Sequence, residues 1–230
     1  MDTRNNPIII DGRTDTRFGG RSTSTTSSLL GQVLMITSVG FLTSAVGVYI
    51  APPYLPQGAT LICFLLTLGL IFGIRAARNT PVLSFALFLL LTLAMGFEIS
   101  PWINYLLHTG QTDVVFNAAI TTAVGMGSIG IIAQLVSFNY RRVGNIALGA
   151  LLALILAGVV GMLFHMHFMP GLYSWAALAI FTVLLLVDFM RIKDNGAGAT
   201  AIELSVSIYL DGLNIFLALT QIFSGGGRRR

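Results

Sequence analysis

Seven stretches of this sequence stay apolar for about as long as a helix needs to cross a membrane. They run over 29–50, 57–74, 81–107, 113–137, 144–168, 171–190 and 201–223. A helix of about 20 mainly apolar residues matches the hydrocarbon thickness of a bilayer. Hydrocarbon offers no water to a backbone N–H or C=O, so a crossing segment is either a helix or a strand of a closed barrel. Barrel strands alternate apolar and polar residues, and these runs do not. The expectation is an all-α polytopic membrane protein, a bundle of seven transmembrane helices. Composition agrees: the chain is 55% hydrophobic and 10% charged, against about 25% charged in soluble domains. A chain of 230 residues cannot bury that much apolar surface by itself, so lipid must cover much of it.

Three zones follow. Residues 1–28 read as a disordered cytoplasmic tail, with Arg4, Arg13, Arg17 and Arg21 leading into the low-complexity run Ser22 to Ser28. Residues 29–223 form the seven-helix transmembrane domain, and 224–230 form a basic C-terminal tail. The polar start argues against a cleavable signal peptide. The connections are short and rich in turn residues, as at Ala51-Pro52-Pro53, Asn79-Thr80-Pro81 and Asn195-Gly196-Ala197-Gly198.

Basic residues give an orientation. The N-terminal tail and the loops at 75–80, 138–143 and 191–200 hold Arg4, Arg13, Arg17, Arg21, Arg75, Arg78, Arg141, Arg142, Arg191 and Lys193. The alternate loops, near 51–56, 108–113 and 165–170, hold none. The N-terminus is therefore expected in the cytoplasm. The tail Arg228-Arg229-Arg230 dissents: it lies outside if the last run crosses fully and inside if that run is re-entrant. The length of 201–223 favours a full crossing.

Ionisable groups within a membrane are costly and mark functional sites by default. Asp211 lies near the middle of the last run, and Glu203, Ser207 and Asn214 share its helical face. Such a stripe either lines a polar path or holds neighbouring helices together by hydrogen bonds. Asp188 lies near the end of the sixth run. It and Asp211 are about equally far from the loop around Asn195 to Ala199, which sets them at similar depth on antiparallel helices. Two carboxyls that meet in a low-dielectric site share a proton or hold a cation, and oxygen clusters suit hard cations such as calcium. The plainer role for Asp188 is an i,i+3 pair with Arg191. Arg75 either closes the carboxyl pair as its cation or is a snorkelling interfacial arginine. Glu98, three residues before Pro101, either lines an outer vestibule or sits at the headgroups.

Several other signals fail. Gly125-Met126-Gly127-Ser128-Ile129-Gly130 fits G-x-G-x-x-G but lies inside an apolar run with no preceding strand, so it reads as close helix packing. His165 and His167 lack a third ligand. Cys63 is the single cysteine and excludes a disulfide framework or a Cys-based metal site. No nucleophile–base or metal constellation appears, so an enzyme is not expected. The basic residues are scattered at run edges, so neither is a nucleic-acid partner.

Three short segments carry a family likeness. Tyr209-Leu210-Asp211-Gly212-Leu213-Asn214-Ile215-Phe216 resembles the Tyr-Leu-Asp-Phe-Ile-Asn-Leu-Phe segment of the Bax inhibitor-1 proteins, the transmembrane Bax-inhibitor-motif family. Asp188-Phe189-Met190-Arg191-Ile192-Lys193 is similar to their Asp-Thr-Gln-Arg-Ile-Lys. Met95-Gly96-Phe97-Glu98-Ile99-Ser100-Pro101 is similar to their Thr-Gly-Leu-Ser-Leu-Ser-Pro. The segments occur in order, and the likeness runs from about residue 29 to the end. It implies a bundle wrapped around a central C-terminal helix and a pH-sensitive calcium leak, with no cofactor beyond calcium as transported or transiently bound ion. It implies an aspartate pair at Asp188 and Asp211 that senses protons, with an arginine at Arg75 able to join it. It also implies a bacterial inner-membrane location and, as a partner of some relatives, a membrane-bound AAA protease. Two departures matter. Glu98 stands where the family has Ser or Thr, and Gly212 stands where it has a bulky Phe, which suggests looser packing beside Asp211. The competing expectations are a regulatory membrane protein that docks a partner and a proton-coupled transporter.

Overall fold

The computed structural model describes residues 22–52, 57–163 and 170–226. These form seven α-helices: α1 (Ser22–Ile50), α2 (Gln57–Ala76), α3 (Pro81–His108), α4 (Thr112–Leu135), α5 (Tyr140–Leu163), α6 (Pro170–Lys193) and α7 (Ala201–Gly226). A single turn over Asn195–Gly198 joins α6 to α7, and no strand occurs among the described residues. Six helices are long and apolar enough by themselves to cross a membrane. The seventh, α2, has 20 residues, which rise about 30 Å and also match the hydrocarbon thickness. The all-helical polytopic architecture expected from the apolar runs is the observed one.

Helix ends differ from the hydropathy runs where turn chemistry decides them. Helix α1 begins at Ser22, inside the stretch expected to be a disordered tail. Once the apolar run nucleates a helix, each added residue contributes one hydrogen bond, so serine and threonine are carried along. Residues 1–21 lie outside the described residues, as do His165, His167 and Arg228 to Arg230. Helix α5 begins at Tyr140, and the described part of it ends at Leu163. Helix α7 is continuous to Gly226 and carries Thr220 to the level of Trp102, whose indole Nε1 donates to the Thr220 hydroxyl at 3.0 Å. Trp102 lies near the end of α3, the end reached by crossing, so α7 crosses too and the re-entrant alternative falls away.

The bundle is organised around α7. Of its apolar span 61% of residues are buried, against 6% for α5, which places α7 at the centre and α5 at the edge. Helices α1, α3, α4 and α6 surround α7, while α5 rests on α6 and α2 mainly on α3. Helices α1 and α3 approach closely because glycines face each other. A Cβ on Gly47 would lie 2.6 Å from the Leu93 carbonyl oxygen, and one on Gly96 would overlap the Ser44 carbonyl oxygen. Ser44 Oγ donates to the Thr92 carbonyl at 2.8 Å and is bonded to the Tyr209 hydroxyl, so α1, α3 and α7 meet at one polar point. Tyr209 is fully buried there, edge-on to Phe88 at 6.0 Å between ring centres. The Gly125–Gly130 motif is not a comparable contact. It lies within α4, and Cβ atoms at Gly125 and Gly127 would meet nothing within 4 Å.

Side chains at the basic-loop end tie the helix termini together. Lys193 Nζ donates to the carbonyls of Gln134 at 2.9 Å and Val136 at 3.0 Å, satisfying acceptors that the end of α4 leaves open. The Tyr140 hydroxyl donates to Asp194 Oδ2 at 2.6 Å, and Arg78 donates to the Gly198 carbonyl at 3.0 Å. The α6–α7 turn is left-handed throughout, with φ of 49° at Asn195, 77° at Gly196, 48° at Ala197 and 85° at Gly198. For Ala197 that conformation costs roughly 1–2 kcal/mol.

Two stability changes follow. Ala197→Gly removes the Cβ penalty, and thermal unfolding of the purified protein in detergent should show it stabilised by about 0.5–1 kcal/mol. Gly96→Ala forces α1 away from α3, and the same measurement should show a loss of roughly 1–3 kcal/mol.

Candidate functional site

The α6–α7 hairpin brings Asp188 and Asp211 together as neighbours. Asp188 comes from the next-to-last turn of α6 and Asp211 from the middle of α7. Ser207, one turn before Asp211, lies beside Asp188. Asp211 is buried at 6% exposure, and its Oδ2 has no hydrogen-bond partner among the described residues. A buried acceptor left without a donor is unusual and costly; a proton, a cation or a water would satisfy it.

The cation nearest this pair comes from α6 itself. Arg191 Nη1 lies 3.9 Å from Asp188 Oδ1, the i,i+3 geometry of one helix face. Arg75 is in the last turn of α2 and exposed, with no carboxylate among the described residues at ion-pair distance. It does face the same region. Arg75, Arg191, Glu203 and Ser207 line a small cavity of about 130 Å³ between α2, α6 and α7. Glu203 and Ser207, the first half of the α7 polar stripe, thus look into the seam between α2 and α6, two helices that do not pack on each other.

The stripe residues have separate local duties. Glu203 Oε2 accepts the Thr200 backbone N–H at 2.8 Å, and the Glu203 N–H donates to Thr200 Oγ1 at 3.2 Å. This is a reciprocal capping box that opens α7. The signal was present in the sequence as Thr200-Ala-Ile-Glu203. Asn214 Nδ2 donates back to the Leu210 carbonyl at 2.8 Å, and Ser207 Oγ approaches the Glu203 carbonyl at 3.5 Å. Of the four stripe residues, only Ser207 and Asp211 join the carboxyl cluster directly.

Packing beside Asp211 is tight, contrary to the expectation from the glycine. A Cβ on Gly212 would lie 2.8 Å from Met126 Sδ and Cε and from Phe41 Cζ. Those two side chains occupy the space that a larger residue would take.

At the opposite end of the bundle a cavity of about 1060 Å³ is lined by Trp102, Tyr105, Asp113, Ser174, Trp175 and Gln221, among others. The Ser174 hydroxyl donates to Gln221 Oε1 at 2.7 Å across its base. Glu98 does not line this vestibule. It sits one turn deeper on α3, half-buried, with Oε2 lacking a hydrogen-bond partner among the described residues. The acidic residue of the vestibule is Asp113, in the first turn of α4, where a carboxylate also suits the helix dipole. Reading for charges inside apolar runs passes over it, because it stands at a run's edge. No cluster of three or more His, Cys, Asp or Glu side chains occurs among the described residues.

The chain matches the family model described as inhibitor of apoptosis-promoting Bax1 over residues 26–229. It belongs to that family. A protein of Campylobacter jejuni is 22% identical over 212 residues, covering 89% of this chain and 91% of its own length. An uncharacterized membrane protein of Streptococcus pyogenes serotype M1 is 23% identical over 190 residues, 80% of each chain. A protein of Helicobacter pylori is 20% identical over 159 residues, 69% of each. The family match reaches all seven helices, from the second turn of α1 onward, and so includes both aspartates.

The double duty of Glu203 can be separated by substitution. Glu203→Gln keeps an oxygen for the Thr200 N–H and should unfold within a few tenths of a kcal/mol of the parent protein, whereas Glu203→Ala should lose about 1 kcal/mol. Thermal unfolding in detergent reads both.

Proposed function

We propose that this protein is a pH-sensitive cation leak, chiefly for calcium, governed by the Asp188–Asp211 pair. The observation that supports it most is the cluster of Asp188, Ser207 and the buried Asp211, half-enclosed between α6 and the central helix with one Asp211 oxygen unsatisfied. A carboxyl is a costly choice for holding helices together when serine or asparagine would do. A calcium ion takes six to eight oxygens in a stable site. Two carboxyls and a hydroxyl are too few to retain the ion, and that suits a passing ion better than a resident one.

The path runs along the α7 face. Cations collect in the wide vestibule beside Asp113, and the Trp102–Thr220 and Ser174–Gln221 bonds close its base. Deeper lies the carboxyl cluster. Beyond it the small cavity at Arg75, Arg191 and Glu203 forms the other mouth. Protons act at the pair: an ionised pair attracts a divalent cation and holds Arg191, while a protonated pair does neither. In this reading the loops rich in arginine and lysine face the cytoplasm and the vestibule faces the other side.

The test is calcium flux into proteoliposomes of the purified protein, scanned from about pH 5 to about pH 8. The parent protein should show flux that changes across this window. Asp211→Asn, which keeps size and removes the titrating group, should flatten the profile. Absence of flux from folded protein at every pH, or an unaltered profile in Asp211→Asn, sinks the proposal.

A further inference from the structure

Helices α1 and α4 both border α7, yet between them they leave a laterally open groove of about 480 Å³. Its walls are Ala45 and Val48 of α1, Ile103 of α3, and Val115, Ala119 and Ala123 of α4, with Leu213 and Phe216 of α7 as the floor. Two hydroxyls border it. That of Ser44 is already engaged with Thr92 and Tyr209, and that of Thr122 is buried away from the groove surface, without a hydrogen-bond partner among the described residues. The groove therefore offers hydrocarbon to whatever enters.

Its position limits the occupant. On α4 the lining runs from Val115, one turn inside the helix start at Thr112, to Met126. That is about 16 Å of helix rise, close to half of the roughly 30 Å hydrocarbon core. The groove begins at the headgroup level on the vestibule side and stops at mid-membrane. Small side chains at 45, 119 and 123 make it a slot, whereas the outward face of α5 carries protruding exposed side chains at Leu148, Leu152, Leu156 and Val159.

We propose that this groove is a binding site for one acyl chain of a phospholipid from the leaflet on the vestibule side. Length, lining and lateral opening match a single chain entering from that leaflet. The bound chain lies against Phe41 and Met126, the two side chains packed over Gly212, and so borders the turn of α7 that carries Asp211. The assignment is independent of any ion flux.

The test is photolabelling of the full-length protein in vesicles containing a phosphatidylcholine with a diazirine midway along one acyl chain, read by mass spectrometry of peptides. Labelling should concentrate on 115–126 of α4 and 41–48 of α1, above the level on 148–159 of α5. In Ala119→Phe/Ala123→Phe, whose folding is checked by size-exclusion chromatography, it should fall to the α5 level. Equal labelling of the three helices in the parent protein overturns the proposal, and so does unchanged labelling in the folded variant. If the double variant does not fold, the single variant Ala119→Phe and the parent distribution decide. Exclusion of the probe from the groove by a co-purifying helix also overturns it.

Discussion

Asp211 sits in the middle of a helix that lies inside hydrocarbon, and the rest of the bundle is arranged around that fact. A carboxyl cannot face lipid at that depth without a large desolvation cost. The helix that carries it must be enclosed on nearly every side, and α7 is. Enclosure needs close neighbours, and the small residues supply them. Gly47 and Gly96 let α1 and α3 touch backbone to backbone, and Gly212 lets Met126 and Phe41 close over the turn beside the carboxyl. With little hydrophobic drive between helices in lipid, such shape matching and the shared bonds of Ser44, Thr92 and Tyr209 hold the assembly.

The same constraint explains the attention given to the basic-loop ends. Asp188 meets Asp211 only if the α6–α7 hairpin is held in one register. The turn that does this uses four left-handed residues, two of them not glycine. Conformational strain of that kind persists when its surroundings fix it. Here Arg78 anchors the Gly198 carbonyl, Tyr140 anchors Asp194, Lys193 is fastened to the end of α4, and the Thr200–Glu203 box starts α7. Residues that mark orientation by their charge therefore also carry specific bonds.

The polar face of α7 divides its work. Glu203 caps the helix, Asn214 bonds its own backbone, and Ser207 with Asp211 meets Asp188. The local arginine, Arg191, stands nearest the carboxyls, while Arg75 faces the same small cavity from across the α2–α6 seam. Two arginines on one seam, one paired and one exposed, give the carboxyl pair a choice of cation at that mouth.

Hydropathy alone determined that this chain is an all-helical polytopic membrane protein, because backbone groups in lipid leave a long apolar run without alternation only the helix. The order of charges along α6 and α7 determined that Asp188 and Asp211 lie at one depth, since a tight turn makes equal arc lengths meet. What sequence left open was rotation about helix axes and the reach of long side chains, which depend on neighbours from other helices. Tertiary structure decided that Arg191 stands beside Asp188, that Glu98 lies below the vestibule, that Asp113 lines it, and that the tight glycine contacts fall at 47, 96 and 212 and leave 125 and 127 free. Periodicity fixes which residues share a face; only packing says what that face meets.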